Sequence, residues 1–321
     1  MKEKILNTLK TQKGFVSGQT LCNEFGVSRT AVWKAINALK DKGYNIESVT
    51  NKGYRLVSAP DILEENEIKD NLKTLVIGKS VTVLETVDST NNYLKKNQKA
   101  FENGAVVVAR EQTGGKGRLG RVWHSQKDDT VSFSIILRPD ISPMEVSAVT
   151  PLCGLALCKA LNSYFDFDAK IKWPNDIIVG NKKLCGVLTE MGCEFDKVDY
   201  IVIGIGINLL NEDFPEEIAY KATSCKKESS KEIDKNLLLA NILKEIEDTL
   251  IQSDFRFTEQ TLREYKENCA TINRSITFTR KGEQVSATAT DINSEGELIA
   301  TLPNGETEVV FSGEVTVQGI Y

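Results

Sequence analysis

Histidine is almost absent from this sequence of 321 residues, which contains only His124, and cysteine never occurs as a C-x-x-C pair. A single histidine disfavours a structural zinc site, and we expect His124 itself to be a structural or supporting residue rather than a catalyst. The seven cysteines are an odd number, which disfavours a disulfide framework, and the missing pair disfavours a thioredoxin-type redox motif.

Long hydrophobic runs are also missing. No uninterrupted apolar stretch approaches the roughly 18 residues that a membrane helix requires. The first ten residues, MKEKILNTLK, carry charges throughout and lack the apolar core of a secretory signal. We therefore expect a cytoplasmic protein with no membrane partner. Its length exceeds the usual size of about 150 residues per domain and predicts two or three domains.

Charge is distributed unevenly along the chain. Residues 1–59 contain ten basic and four acidic side chains, a net charge of +6, whereas the whole chain carries −5 and the remainder therefore −11. A basic segment joined to an acidic body indicates that only the segment meets a polyanion.

The basic segment has the pattern of a winged helix-turn-helix. Ser17 and Ser28 each precede a helical pattern, the second with apolar residues at helical spacing from Ala31 to Leu39, and Gly26-Val27 forms the tight turn between the two helices. Two short strands around Asn51-Lys52-Gly53 then predict a β wing. The alternative is a small helical domain that only packs or dimerises.

DNA contacts are predicted on the outer face of the third helix and on the wing. The first turn of a recognition helix faces base edges, while basic side chains nearby neutralise phosphates. Trp33 fits either this face or the core. The candidates are Ser28, Arg29, Thr30, Trp33, Lys34, Lys52 and Arg55.

The stretch TGGKGRLGRVWHS, residues 113–125, contains G-x-G-x-x-G at Gly115, Gly117 and Gly120. A dinucleotide fingerprint requires a strand before the glycines and a helix after them. The residues upstream, 104–110, predict a buried strand, but 130–137 alternate and also predict a strand. We therefore interpret residues 113–125 as a mobile glycine-rich loop between two strands, carrying Lys116, Arg118 and Arg121.

Hydroxyl and amide side chains follow the predicted strand 81–87, where Asp88-Ser89-Thr90-Asn91-Asn92 begins a helix. Ser89 and Thr90 at this corner are typical helix caps, and the same position also suits a hydroxyl pair that holds a small polar ligand.

Residues 170–179, KIKWPNDIIV, predict a strand interrupted by Trp-Pro-Asn-Asp, because proline removes a donor from the ladder. This break would expose Asn175 and Asp176 at the end of the sheet, where a carboxylate suits Mg²⁺. Residues 183–190 predict an antiparallel partner strand starting at Lys183, a residue that would otherwise be interpreted as a solvated surface lysine. In the buried strand 200–209, Gly204 and Gly206 permit close approach to the backbone.

These motifs together resemble the biotin protein ligases. The ordered set is STN at 89–91, GKGRLGRVW at 115–123, KWPND at 172–176, KKLCGVLTE at 182–190 and GIGIN at 204–208. With the winged helix in front, the chain looks like the bifunctional bacterial type, which also represses biotin genes. One departure is Lys116, where the family loop usually has arginine, since lysine keeps the charge but loses the planar bidentate fork.

The resemblance implies a two-step reaction with ATP and biotin as substrates and Mg²⁺ as cofactor. Biotinyl-adenylate forms first, and its acyl group then passes to a lysine of the biotin carboxyl carrier protein of acetyl-CoA carboxylase. The implied catalytic residues are Lys183, Arg118 and Arg121. The implied biotin contacts are Ser89, Thr90, Asn91, Gln112, Gly115, Lys116, Gly117, Arg118 and Lys183; the adenylate contacts are Lys116, Arg118, Arg121, Trp123, Asn175, Lys183 and Asn208; and the metal ligand is Asp176.

The predicted fold is an α+β multidomain chain. It consists of a winged helix-turn-helix at 1–62, a central mixed α/β catalytic domain at 63–270 and a C-terminal β-barrel at 271–321, whose evenly spaced strands and turns suit a small barrel. The resemblance makes that barrel SH3-like and a cap on the site; the alternative is a purely structural domain. Residues 210–224 are either a second flap or an ordinary connection.

Operator DNA and, when the adenylate is bound, a second copy of the chain are the further expected partners. Two other functions stay open: lipoate ligation on the same architecture, and a repressor that senses biotin without ligating it.

Overall fold

The computed structural model describes residues 1–12, 14–59, 62–194, 197–311, 313 and 315–321. Its contacts divide the chain into two compact units, Met1–Ile62 and Leu63–Tyr321. Pro60 and Asp61, just before the predicted domain boundary at residue 62, lie outside the described residues.

The first unit is a three-helix domain followed by a two-stranded hairpin. Its buried residues form one cluster that includes Leu21, Val32 and Ile36. The elements are α1 (Lys2–Thr11), α2 (Gly18–Phe25), α3 (Arg29–Lys40), β1 (Asn45–Val49) and β2 (Gly53–Ser58).

Local signals explain the ends of these helices. The Ser17 hydroxyl accepts from the Thr20 N–H at 3.0 Å, and the Ser28 hydroxyl accepts from the Ala31 N–H at 3.2 Å. Gly26 ends α2 in the left-handed conformation with φ of +64°. At the hairpin turn, Gly53 has φ of +107°, and a Cβ there would lie 2.0 Å from the Val16 carbonyl oxygen. The winged helix-turn-helix interpretation therefore fits every element of this unit.

The second unit is built around a mixed seven-stranded sheet. Its strand order is β3-β4-β5-β9-β8-β7-β6, in which β3 and β4 are parallel and every other neighbouring pair is antiparallel. The strands are β3 (Val81–Val87), β4 (Val106–Gln112), β5 (Thr130–Leu137), β6 (Ala169–Lys172), β7 (Asp176–Val179), β8 (Lys182–Glu194) and β9 (Lys197–Asn208). The helices are α4 (Glu65–Asn71), α5 (Thr90–Lys96), α6 (Val149–Tyr164), α7 (Glu216–Ala219), α8 (Cys225–Glu228), α9 (Lys235–Leu250) and α10 (Glu259–Asn268).

Helices cover both faces of this sheet. The apolar helix α6 packs on β6, β7 and β8 and is backed by α9 and α10. On the other face, α5 packs on β4, β5 and β9 through a small cluster that includes Leu94, Val107 and Ile136. Because both faces are covered, β5 is buried along its whole length.

The segment 170–179 differs from the prediction. It is not one interrupted strand but a tight hairpin, in which β6 and β7 pair antiparallel from Ala169–Val179 to Lys172–Asp176. The turn contains a cis peptide bond between Trp173 and Pro174. Long-range hydrogen bonds hold it: the Trp173 N–H donates to Thr271 Oγ1 at 3.0 Å and the indole Nε1–H to the Gly296 carbonyl at 2.9 Å. Asn175 and Asp176 are thereby placed at the end of the sheet, as predicted.

The C-terminal part is an antiparallel five-stranded sheet that shares the main apolar core of the unit. In the order β13-β12-β11-β10-β14, its outer strands β13 and β14 do not pair with each other among the described residues, so the predicted barrel stays a prediction. The predicted domain boundary at residue 270 stays a prediction. The strands are β10 (Ser275–Arg280), β11 (Glu283–Ile292), β12 (Leu298–Thr301), β13 (Thr307–Val310) and β14 (Val315–Val317).

In the part of the chain that the structure describes, one helical stretch, Glu145–Tyr164, is long and apolar enough by mean hydropathy to cross a membrane, although no uninterrupted apolar run reaches that length. Of its most apolar 18-residue window, 72% is buried within the fold, which accounts for its composition. All seven cysteines are free, and Cys193 on β8 is the exposed one. Burial raises the pKa of the Cys158 thiol to about 12.

Candidate functional site

Ten of the fourteen predicted site residues of the second unit line one cleft. Its empty space, counted together with open solvent at its mouth, is about 460 Å³. Five chain segments that are distant in sequence form its walls: the start of α5, the end of β4 with the glycine-rich loop that follows it, the β6–β7 turn, the first half of β8 and the middle of β9. The predicted residues that line it are Ser89, Thr90, Asn91, Gln112, Lys116, Gly117, Arg118, Trp123, Asn175 and Lys183.

A hydrogen-bond network forms one end of the cleft. Ser89 caps α5 by accepting from the Asn92 N–H, so capping and a place at the site coexist. The Thr90 N–H donates to Gln112 Oε1 at 2.9 Å, which leaves the Gln112 NH₂ group facing Gly115. Since the orientation of the Gln112 amide is fixed, this end of the cleft presents the Gln112 NH₂ group as a donor to a ligand.

Asn91 is held from two sides. The Ser134 hydroxyl lies 2.6 Å from both Thr90 Oγ1 and Asn91 Oδ1, and Asn91 Nδ2 donates to Glu190 Oε2 at 2.8 Å. Burial alone would raise the pKa of the Glu190 carboxyl, but hydrogen bonds from Lys95 and Asn91 outweigh it and hold that pKa below its ordinary value. Glu190 is therefore a charged anchor for the Asn91 amide.

A cation and a carboxylate face each other at the opposite end. Lys183 Nζ lies 2.6 Å from Asp176 Oδ1, and the two side chains are 29% and 14% exposed. The contact is a charge pair without hydrogen-bond alignment, because Asp176 Oδ1 accepts no hydrogen bond from the described residues. Asp176 Oδ2 accepts from the Tyr321 hydroxyl. Lys183 is thus a held, partly buried cation and not the solvated surface lysine of the alternative interpretation.

The backbone of Lys183 is fixed as well. Its N–H donates to the Lys221 carbonyl at 2.7 Å, and its carbonyl accepts from the Thr223 N–H at 2.9 Å. Asn208 Nδ2 donates to the Thr223 carbonyl at 3.0 Å. These bonds tie the end of segment 210–224 to the sheet, which favours an ordered connection there over a free flap.

The glycine-rich loop is folded against the cleft. The Arg118 guanidinium donates to Asn175 Oδ1 at 3.0 Å and to the Gly313 carbonyl at 3.1 Å, so it joins the β6–β7 turn to the C-terminal sheet region. Lys116 Nζ donates to Asn92 Oδ1 at 3.1 Å. Leu119 adopts φ of +56° with its side chain 72% exposed. The predicted mobility of this loop stays a prediction.

Trp123 lies flat on the sheet at Gly206. A Cβ at Gly206 would lie 2.3 Å from the indole, and Lys183 Nζ is 5.7 Å from a Trp123 ring centroid. The buried indole Nε1 has no hydrogen-bond partner among the described residues. Trp123 therefore lines the cleft with an indole whose donor no described residue uses.

Some predicted residues lie outside the cleft lining. Gly115 and Asn208 are buried, Arg121 is exposed and Asp176 contacts Lys183. Their predicted ligand contacts stay predictions. His124 is exposed.

Sequence reasoning missed several residues of the site. Ser134 could have been found, because Thr130, Ser132 and Ser134 are the polar members of an otherwise apolar strand. Tyr321 carried no such signal. The missed lining residues are Gly186, Val187, Leu188 and Ile205.

A second candidate surface lies on the first unit. The predicted DNA-contacting residues Ser28, Arg29, Thr30, Trp33, Lys34, Lys52 and Arg55 are all exposed. Trp33 is 55% exposed, so it is not a core residue. The Arg29 guanidinium donates to Gln19 Oε1 at 2.9 Å, and Arg55 pairs with Glu47 at 2.6 Å.

Comparison with family models gives three matches in chain order. Residues 2–55 match an HTH domain, residues 83–208 the Biotin/lipoate A/B protein ligase family, and residues 271–317 the biotin protein ligase C terminal domain.

Curated relatives and solved structures agree with these matches. The chain is 42% identical over 233 residues to the Bifunctional ligase/repressor BirA of Bacillus spizizenii, covering 71% of each chain. It is 27% identical over 304 residues to the protein of that name from Escherichia coli, covering 95% of this chain and 93% of the relative. The biotin protein ligase from Aquifex aeolicus in complex with biotin and ATP is similar with a TM-score of 0.66 at 27% identity, covering 75% of this chain and 99% of that one.

Proposed function

The chain belongs to the family of bifunctional biotin ligase/repressors, and from that premise we propose that it attaches biotin to a carrier protein at the expense of ATP and represses biotin genes, with biotinyl-adenylate as corepressor. The observation that carries the ligase function is that all five motifs, distant in sequence, contribute residues to one cleft. The exposed recognition helix of the first unit supports the repressor function.

The reaction has two steps. The biotin carboxylate attacks the α-phosphorus of ATP, forming the acyl-phosphate bond and releasing pyrophosphate. The amine of an acceptor lysine then attacks the acyl carbon, forming an amide and releasing AMP and a proton. Since the first step brings two anions together, it needs fixed cations rather than a nucleophilic side chain.

Lys183 is the cation best placed for the first step, because it lines the cleft and its backbone is fixed by segment 221–223. We assign it to the biotin carboxylate and the α-phosphate together. Arg118 and Arg121 complete the catalytic set by neutralising phosphate as the loop closes over the adenylate. Closure also keeps water from the reactive mixed anhydride until the acceptor arrives.

The two ends of the cleft suit the two ends of the adenylate. The network end is assigned to the biotin ureido group, which needs both donors and acceptors, while the biotin carboxylate extends to Lys183 at the opposite end. The proposed biotin contacts are Ser89, Thr90, Asn91, Gln112, Gly115, Lys116, Gly117, Arg118 and Lys183. The Trp123 end is assigned to the nucleotide, since an indole face suits adenine: Lys116, Arg118, Arg121, Trp123, Asn175, Lys183 and Asn208.

Mg²⁺ is the proposed cofactor, with Asp176 as its protein ligand. Among the described residues no three His, Cys, Asp or Glu side chains cluster as a metal site. A lone carboxylate nevertheless fits Mg²⁺, which commonly binds one or two carboxylates together with substrate phosphates. The ion would reduce the negative charge on the phosphates, while Lys183 keeps its contact with the biotin carboxylate.

The partners follow from the two activities. The biotin carboxyl carrier protein of acetyl-CoA carboxylase supplies the acceptor lysine, and operator DNA binds the first unit in the cytoplasm. We further propose a homodimer when the adenylate is bound, since helix-turn-helix repressors commonly match two-fold operators. The five-stranded sheet is proposed to be an SH3-like domain that caps the site, supported by the Arg118–Gly313 contact.

Pyrophosphate release from MgATP tests the ligase directly, with biotin as substrate, lipoate as control and mass spectrometry of an added carrier domain. Biotin-dependent release and one biotin added per acceptor are expected. Release with lipoate instead would identify a lipoate ligase. Biotin binding without release would identify a sensor that does not ligate.

Lys183→Ala should reduce adenylate formation at least about 100-fold, because removing one charge that stabilises a transition state costs roughly that factor. The matched control is Lys182→Ala, which removes the exposed neighbouring lysine and should keep full activity. Equal turnover in the two variants would remove Lys183 from the mechanism.

A further inference from the structure

Tyr321, which does not line the cleft, contacts Asp176, the carboxylate that pairs with Lys183. Its hydroxyl donates to Asp176 Oδ2, while the other oxygen, Oδ1, lies 2.6 Å from Lys183 Nζ. Each oxygen of Asp176 therefore has its own neighbour, and the carboxylate cannot rotate without losing one of them.

The position of Tyr321 is itself fixed by three contacts. Its N–H donates to the Asn181 carbonyl at 2.9 Å, in the turn between β7 and β8. Lys172 Nζ lies 3.5 Å from the centroid of its ring. The preceding residue, Ile320, is buried in the core. Because the ring is fixed in this way, its hydroxyl donates to Asp176 from a constant position.

From these contacts we infer that Tyr321 is a positioning residue for adenylate formation, acting by holding the Asp176 carboxylate in the orientation that places the Lys183 ammonium in the cleft. This inference rests on the proposed function of Lys183. The hydroxyl donates one hydrogen bond to a charged group, the strong class of such bonds.

Loss of this bond should act on the chemical step. Lys183 is proposed to bear on the transition state, so a misplaced ammonium lowers kcat more than it weakens ground-state binding. Tyr321 does not line the cleft, which is a second reason to expect little change in the KM for biotin or ATP.

The test is Tyr321→Phe in the full chain, which keeps the ring over Lys172 and removes only the hydroxyl. The kcat for pyrophosphate release should fall about 10-fold, with both KM values within about twofold. The matched control is Tyr265→Phe, because the buried Tyr265 hydroxyl has no partner among the described residues. That control should keep wild-type kcat.

A double-mutant cycle identifies the route of the effect. In an Asp176→Asn background, assayed with enzyme in excess over ATP, adding Tyr321→Phe should change the rate less than twofold. An equal loss in both backgrounds, an effect on KM instead of kcat, or unchanged kcat in Tyr321→Phe would each overturn the inference. The proposed function fails separately, if the wild-type chain releases no pyrophosphate or Lys183→Ala is fully active.

Discussion

Gly204 and Gly206 each leave room for one functional side chain on the same strand, β9. A Cβ at Gly204 would lie 2.3 Å from Asn91 Oδ1, and one at Gly206 would lie 2.3 Å from the Trp123 indole. The sequence predicted a close approach to these two glycines. It did not predict which groups approach, because Asn91 and Trp123 are distant in sequence and only the tertiary fold brings them onto β9.

At this scale the two glycines give separable effects. Gly204→Ala should displace Asn91 and raise the Kd for biotin about tenfold, ~1.4 kcal/mol, with ATP binding little changed. Gly206→Ala should displace Trp123 and raise the Kd for ATP about tenfold, with biotin binding little changed. Calorimetric titration of each variant with biotin and with a non-hydrolysable ATP analogue measures both constants. Each variant is the control for the other, and equal losses of both ligands would contradict the assignment of the two ends.

The glycine-rich loop shows what can be predicted at the scale of an element. The strands on either side of it were predicted, and β5 has the expected bounds. The hairpin of β6 and β7 was misinterpreted as one strand, because the bonds from Trp173 to Thr271 and Gly296 that hold its turn span about 100 residues of sequence. The ion pair that fastens the base of the loop was equally invisible: Arg110 donates to both oxygens of Asp128 at 2.7 Å.

The Arg110–Asp128 ion pair at the base of the loop makes the stability of the fold depend on pH. The hydrogen bond from Arg110 holds the pKa of Asp128 below its ordinary value. A lowered carboxylate pKa stabilises the fold fully above the unfolded-state pKa of about 3.9, and this stabilisation disappears as the pH falls through the folded-state pKa. Asp128→Asn should therefore lower the free energy of unfolding by about 1–2 kcal/mol at pH 7, while below pH ~4 the two proteins should converge.

Urea unfolding of both proteins across pH 3–7 measures this difference. Asparagine tolerates the positive φ of residue 128, +61°, so the substitution changes the charge and not the backbone preference. Asp129→Asn, at the neighbouring carboxylate, is the control and should leave stability nearly unchanged. A difference between wild type and Asp128→Asn that does not vary with pH would contradict the role of the charge.

At the scale of the whole molecule, the two units have separate cores. The apolar cluster of the first unit draws only on residues 5–56, and that of the second begins at Leu63. The first unit was predictable in full, since its caps, turn and wing are local signals. The strands of the C-terminal part were also predictable, but closure of the barrel was not, because whether its outer strands pair depends on contacts that spacing does not encode.

Deleting residues 1–62 should therefore leave a folded ligase that no longer binds operator DNA. Pyrophosphate release within about threefold of the full chain is expected, together with complete loss of the gel shift. The full-length control is Arg29→Ala, which should weaken DNA binding by about 1–3 kcal/mol if the arginine reads a base and leave ligation unchanged. A truncated protein that still shifts operator DNA would refute the assignment of the first unit.

The distribution of cysteines has a practical consequence. Cys193 on β8 is exposed, whereas the other six thiols are buried, and for Cys158 burial also suppresses the reactive thiolate. A maleimide dye or spin label added to the unmodified protein would attach first at Cys193. The molecule thus carries its own attachment point for single-molecule and distance measurements, and no cysteine has to be removed from its core to use it.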